Sequence, residues 1–174
     1  KPMSNIAFAG MSLIFKVRDW VSPPEKVLTK VDIRPGYHVL DYGCGTGSFS
    51  LAAAMRVGES GKVFALDIHP KSVQAVQERA SRAGLENITP LLASAPSALE
   101  TNSIDVVLLY DIFHMLSDGE GVLRELHRVL KPGHILSFSN HHMKQRDIIA
   151  RVTEKGLFEL KEQQGGIYSF TRIP

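Results

Sequence analysis

The feature that most constrains this chain is a strand-to-helix turn built on glycine. An apolar stretch ends in Asp41, Tyr42-Gly43-Cys44-Gly45-Thr46-Gly47 follows, and an alanine-rich helical pattern begins at Ser48. Glycines let the backbone turn sharply and pass close to a ligand. The start of the helix offers N–H groups suited to an anion. A strand that feeds a helix in this way belongs to a β-α-β unit and hence to a parallel sheet.

The pattern repeats along the chain. Strands are expected at 37–41, 61–67, 87–92, 104–110, 134–138, 157–160 and 167–171, the last two as an antiparallel hairpin through Gln163-Gln164-Gly165-Gly166. Helices are expected from the glycine turn to about Val57, then over 70–83, 118–130 and 144–155. Ile104-Asp105-Val106-Val107-Leu108-Leu109-Tyr110 is almost unbroken apolar sequence, as in a strand covered on both faces. Pro90 places the third strand at a sheet edge. Upstream, 4–20 reads as an amphipathic helix rich in large apolar side chains. A second helix starts at Ser22-Pro23-Pro24-Glu25, with Ser22 as cap and Glu25 in a capping box, and stops near Arg34-Pro35-Gly36. The expected organisation is one domain over 1–174, with a helical cap at 1–34 acting as a lid and a cofactor-binding sheet domain at 35–174.

Charge excludes some partners. Lys and Arg total 20 against 18 Asp and Glu, a net charge of +2, so a strongly electrostatic nucleic-acid binder is not expected. The longest apolar tract, 6–15, is too short for a bilayer, which takes roughly 20 residues. The one cysteine, Cys44, forms neither an internal disulfide nor a cysteine-based zinc site and fits a reducing, cytoplasmic setting. Cys44 has no evident base beside it and reads as a small packed residue.

Ligands of doubly wound sheets bind beyond the carboxyl ends of the strands. That rule gathers 41–47, 67–69, 93–96, 110–115 and 139–143 at one mouth. Two nucleotide cofactors could use the glycine turn. The dinucleotide fingerprint needs Gly or Ala where this chain has Ser48, and a pyrophosphate beside Asp41 would be repelled. An ammonium or sulfonium would be favoured there. Asp67, which closes the second strand, is placed to accept ribose hydroxyls. Together these features describe an amino acid joined to a nucleoside.

Four segments in order, namely 39–47, 63–68, 102–107 and 130–136, resemble the class I S-adenosylmethionine-dependent methyltransferases. The overall look is similar to the small-molecule enzymes that include quinone-biosynthesis C-methyltransferases. The resemblance implies an α/β fold with a doubly wound, seven-stranded, mostly parallel sheet in the order 3-2-1-4-5-7-6, and S-adenosyl-L-methionine as cofactor. It implies that Asp41, Gly43, Cys44 and Gly45 hold the methionine part, Asp67 the ribose and Ile68 the adenine face, with the Tyr110 backbone meeting the ammonium. The family usually has an acid near the adenine amino group. Here that position is Ser94, beside Ala95, and a hydroxyl makes the weaker bond.

Asp111, His114, Asn140, His141 and His142 follow the fourth and fifth strands, on the acceptor side of the mouth. Three readings stand. His114 or His141, with Asp111, is a general base; the group holds a metal, although the acid this would need before Asn140 is Ser139, so none is assigned; or the histidines are ordinary loop residues. The Asn-Pro-Pro-aromatic stretch of base-amino methyltransferases is absent, so the expected partner is a small, partly apolar methyl acceptor rather than nucleic acid. Two alternatives remain: a nicotinamide-dependent oxidoreductase, and a non-catalytic module that binds S-adenosylmethionine or S-adenosylhomocysteine. Oligomeric state is not legible in the sequence.

Overall fold

The computed structural model describes residues 23–174. The expected helix over 4–20, the lid it would form and the Ser22 cap lie outside the described residues. The strands are β1 (His38–Tyr42), β2 (Lys62–Asp67), β3 (Ile88–Leu92), β4 (Ile104–Tyr110), β5 (Leu130–Ser139), β6 (Phe158–Gln164) and β7 (Ile167–Arg172). The helices are α1 (Pro24–Leu28), α2 (Ser48–Val57), α3 (Pro70–Ala83), α4 (Gly119–Val129) and α5 (Gln145–Thr153), with a 3-10 turn at Phe113–Met115.

One seven-stranded sheet runs β3-β2-β1-β4-β5-β7-β6. The first five of these strands pair in parallel, while β7 is antiparallel to both β5 and β6. This is the doubly wound order implied by the resemblance, and β3 with Pro90 does lie at the edge. Every residue of β4 is buried. Its Val107 and Leu109 join Leu40, Leu66, Leu126 and Ile148 on one face. Val106, Leu108 and Tyr110 join Val39, Val63, Leu28 and Ala53 on the other. The period-2 alternation of a strand thus feeds two apolar layers at once, which is why β4 carries no polar alternation. Each fully buried Leu or Val contributes about 1.5–3 kcal/mol.

Three boundaries differ from expectation. Strand β6 runs on to Gln164, so Gln163 and Gln164 pair with Tyr168 and Ile167 and only Gly165-Gly166 form the hairpin turn. Helix α1 ends at Leu28, well before Arg34, and its N-cap position is Pro23. Val31 and Ile33 leave the helix to bury in the layer beneath α2, and the Ile33 N–H donates to the Val31 carbonyl instead of continuing the helical ladder. Strand β5 begins at Leu130, where helix was expected, because Leu130 pairs with Ile104 and a bulge before Ile135 absorbs Pro132-Gly133.

The glycine turn is set by close packing. Gly43 and Gly47 have φ of +77° and +83°, a region that L side chains rarely adopt. A Cβ at Gly47 would lie 2.7 Å from Cγ2 of Val76, a fully buried residue of α3. Gly84 shares the positive φ but has nothing within 4 Å. Both Gly47→Ala and Gly84→Ala therefore carry the left-handed penalty of about 1–2 kcal/mol. Gly47→Ala is expected to lose at least ~1 kcal/mol more in urea unfolding, because Val76 has no room to retreat. Equal losses would show that the contact between turn and helix is slack.

Candidate active site at the carboxyl ends of the strands

Asp41 ends up 4% exposed, on a strand flanked by β2 and β4. The Ser50 hydroxyl, one turn into α2, donates to its Oδ2 at 2.6 Å. Asp67 is gripped from two sides. The Gly45 N–H donates to Oδ2 at 2.9 Å and the His69 N–H to Oδ1 at 2.8 Å. A carboxylate has about four acceptor positions, so both oxygens keep capacity for hydroxyl groups. His69 in turn caps α3, its Nδ1 accepting from the Lys71 N–H at 3.1 Å.

The turn spends its own amides locally. Gly43 and Cys44 donate to the Leu66 carbonyl, Gly45 to Asp67, and Gly47 to the Cys44 carbonyl. These N–H groups fasten the loop to the end of β2, so the Gly43–Gly45 backbone is fixed in place before any ligand arrives. The loop also sits in a negative field. Burial pushes the Cys44 thiol well above the ordinary cysteine range, and the charges of Asp41 and Asp67 push it further. Burial, and then the Asp41 charge, likewise raises the Tyr110 phenol, whose hydroxyl pairs with Ser137 at 2.7 Å. The Tyr110 side chain therefore belongs to the core, while its main chain ends β4 at the mouth.

Two further residues shape this half of the site. The Tyr42 hydroxyl donates to the Ser94 carbonyl at 2.7 Å, tying the loop after β3 to the end of β1. Arg79 of α3 donates to the Thr46 carbonyl at 2.8 Å and to the Ser48 hydroxyl at 3.1 Å, clamping the glycine turn from outside. Neither was singled out from sequence. A tyrosine at the end of a buried strand needs a hydroxyl partner, and Arg79 lies three residues beyond Val76 on the helix face toward the turn; those were the available signals. Ile68 is 48% exposed, an apolar surface beside Asp67, while the Ser94 side chain is exposed and Ala95 half-buried.

On the other half, the chain ends of β4 and β5 interlock. Asp111 takes φ of +55°, a strained conformation for a side chain other than glycine. Its Oδ1 accepts the His141 N–H at 2.9 Å and faces His141 Nδ1 at 2.8 Å. Asn140, 5% exposed, accepts the His142 N–H at 3.0 Å and reaches His114 Nδ1 at 3.1 Å. The His114 and His142 rings lie 4.4 Å apart. All five polar residues expected at this end are thus joined in two small networks. No cluster among the described residues is arranged to hold a metal ion.

The order of the sheet, the glycine turn and the acid closing β2 define a Rossmann-like nucleoside-binding domain of the class I S-adenosylmethionine type. The family described as a methyltransferase domain matches residues 33–168, and the chain belongs to it. The demethylmenaquinone methyltransferase of Geobacillus stearothermophilus is 29% identical over 126 residues, covering 72% of this chain and 54% of that protein. The ubiquinone/menaquinone biosynthesis C-methyltransferase of Paraburkholderia phymatum is 33% identical over 105 residues, 60% of this chain and 43% of its own length. The chain spans about half the length of the curated relatives it matches. A crystal structure of a SAM-dependent methyltransferase from Aquifex aeolicus superposes with a TM-score of 0.77 at 26% identity, covering 92% of this chain and 97% of that one. S-adenosyl-L-methionine is the cofactor of this class, and the negative field over a preformed glycine loop fits its positively charged amino-acid end. Among the described residues no helix is long and apolar enough to cross a membrane.

The state of Cys44 is directly testable. A thiol that is buried and held neutral reacts poorly. Native protein at about pH 8 is expected to resist iodoacetamide for hours and to react at the free-cysteine rate in denaturant. Rapid alkylation of the native protein would contradict both the burial and the raised pKa.

Proposed function

We propose that the chain transfers a methyl group from S-adenosyl-L-methionine to a small, partly apolar acceptor. The observation that carries this reading is Asp67, fixed between the Gly45 and His69 amides at the end of β2, with Asp41 buried beneath the same loop. In this reading Asp67 holds the ribose hydroxyls and Ile68 covers the adenine. Ser94 and Ala95 border the adenine edge, in a loop that Tyr42 holds in place. Asp41, Gly43, Cys44 and Gly45 line the methionine part, and the Tyr110 backbone meets the ammonium. The bound cofactor supplies an electrophilic methyl carbon and its own leaving group. The protein has to exclude water, align the acceptor and, where the acceptor is an acid, receive its proton. Asp111, His114 and His141 are the residues proposed to meet the acceptor and serve that proton transfer.

Two observations support a small apolar acceptor. The relatives named above carry the names of quinone-pathway methyltransferases, and Met115, next to His114 after β4, is 61% exposed. A nicotinamide dinucleotide fits less well, because its pyrophosphate would approach the same negative field that raises the Cys44 thiol.

Calorimetry with S-adenosylmethionine, S-adenosylhomocysteine and NAD is expected to show heat with the first two only. Asp67→Ala is expected to weaken S-adenosylmethionine at least ~10-fold, the loss of about 1.4 kcal/mol or more of charge-assisted bonding. Binding of NAD alone, or an unchanged affinity in Asp67→Ala, would overturn the cofactor assignment. A labelled-methyl screen over quinols, phenols, amines and RNA, with and without chelator, tests the acceptor. Label found only in RNA would replace the small-molecule reading.

A further inference from the structure

The two networks at the ends of β4 and β5 fix the proton positions on two histidines, in opposite senses. Asn140 Oδ1 accepts the His142 N–H, so the Asn140 amide nitrogen is the atom that faces His114. An amide NH2 donates and does not accept. His114 Nδ1 therefore carries the lone pair, and the ring proton sits on Nε2. Asp111 Oδ1 is a carboxylate oxygen and accepts only. His141 Nδ1, 2.8 Å away, therefore carries the proton, and the lone pair sits on Nε2. Both residues are exposed, His141 to 76% of its side chain.

From this division we infer that His141 is the proton acceptor and His114 a hydrogen-bond donor toward one methyl acceptor, a planar molecule with an ionisable hydroxyl and a second oxygen close to it. The inference rests on the methyltransferase reading for its use, but the proton assignment stands on the hydrogen bonds alone. His114 follows β4 and His141 follows β5, two strands that pair side by side, so both rings belong to the same end of the sheet. The acceptor O–H bond breaks, its proton moves to His141 Nε2, and the electron pair stays on oxygen. The imidazolium so formed is balanced by Asp111, which acts as a positioning residue. The His114 Nε2–H bonds to the second oxygen and steadies the anion. Asp111 at φ +55° is held there by its N–H bond to the Ser139 carbonyl and by its two contacts to His141.

Nitrogen-15 NMR of the cofactor-free protein tests the assignment without any methyl transfer. About 1.5 units above the ordinary histidine pKa of about 6.5, His141 is expected with a protonated Nδ1 and a bare Nε2. His114 is expected with the reverse pattern. In Asp111→Gly, which relieves the positive φ and removes the carboxylate, His141 is expected to shift to the Nε2–H form while His114 stays unchanged. The same tautomer on both rings, or a His141 indifferent to Asp111→Gly, overturns the assignment and leaves the cofactor reading intact. For the acceptor class the probe is 4-nitrocatechol with S-adenosylhomocysteine present. At a pH where the free probe is mostly neutral, wild type is expected to bring up the anion band in the visible. His141→Gln is expected to lose it, and His114→Gln to keep it with weaker binding. A spectrum unchanged by wild-type protein, or a band that survives His141→Gln, overturns the acceptor class.

Discussion

Everything at the cofactor end depends on one carboxylate and the two amides that hold it. Asp67 accepts from Gly45 on one side and from His69 on the other, so it joins the turn after β1 to the start of α3. Without that bridge, the loop would keep its Gly43 and Cys44 bonds to the Leu66 carbonyl but lose its tie to the start of α3, and more of its ordering entropy would fall on ligand binding. With it, Arg79 from α3 and Val76 beneath Gly47 close the loop from the other side. The cost is a pair of carboxylates near one another, Asp41 held by the Ser50 hydroxyl and Asp67 by the Gly45 and His69 amides. A cation arriving beside these two carboxylates gains from both charges.

The opposite end of the sheet explains how the mouth keeps its shape. Asp105, at the amino end of β4, is buried and accepts from the His38 N–H at 2.8 Å and from Lys131 at 2.6 Å. It braces β1, β4 and β5 where they begin, while Gly43 to Gly47 and Asp111 to Met143 diverge where they end. A parallel sheet puts all its carboxyl ends on one side, so rigidity can be invested at one end and variation left to the other.

Much of this was legible from residue pattern. An almost unbroken apolar run reads as a strand covered on both faces, and β4 is that. Pro90 cannot donate into a ladder, and β3 has one neighbour. The glycine turn, its acids and the polar residues after β4 and β5 fall where sheet topology requires. Other features were hidden because their partners are distant in sequence. Tyr42 meets Ser94 and Arg79 meets Thr46 only once the strand order brings β1, β3 and α3 together. The early end of α1 and the early start of β5 follow from tertiary packing of Val31, Ile33 and Leu130, which outweighs a local helical pattern.

The strained backbone at Asp111 connects these points to chemistry. A residue other than glycine is held at positive φ where surrounding structure over-determines it, and here that structure is the last rung between β4 and β5 plus the His141 contacts. An extended conformation at Asp111 would turn its carboxylate away from β5, and His141 Nδ1 would lose its acceptor. The backbone at Asp111 therefore places the carboxylate that fixes which His141 nitrogen carries the proton. Asn140 does the same for His114 from the neighbouring strand, with a buried amide whose two ends are both committed. Two identical side chains acquire opposite proton roles because one is oriented by an acceptor and the other by a donor, and it is the pairing of β4 with β5 that brings those partners within reach.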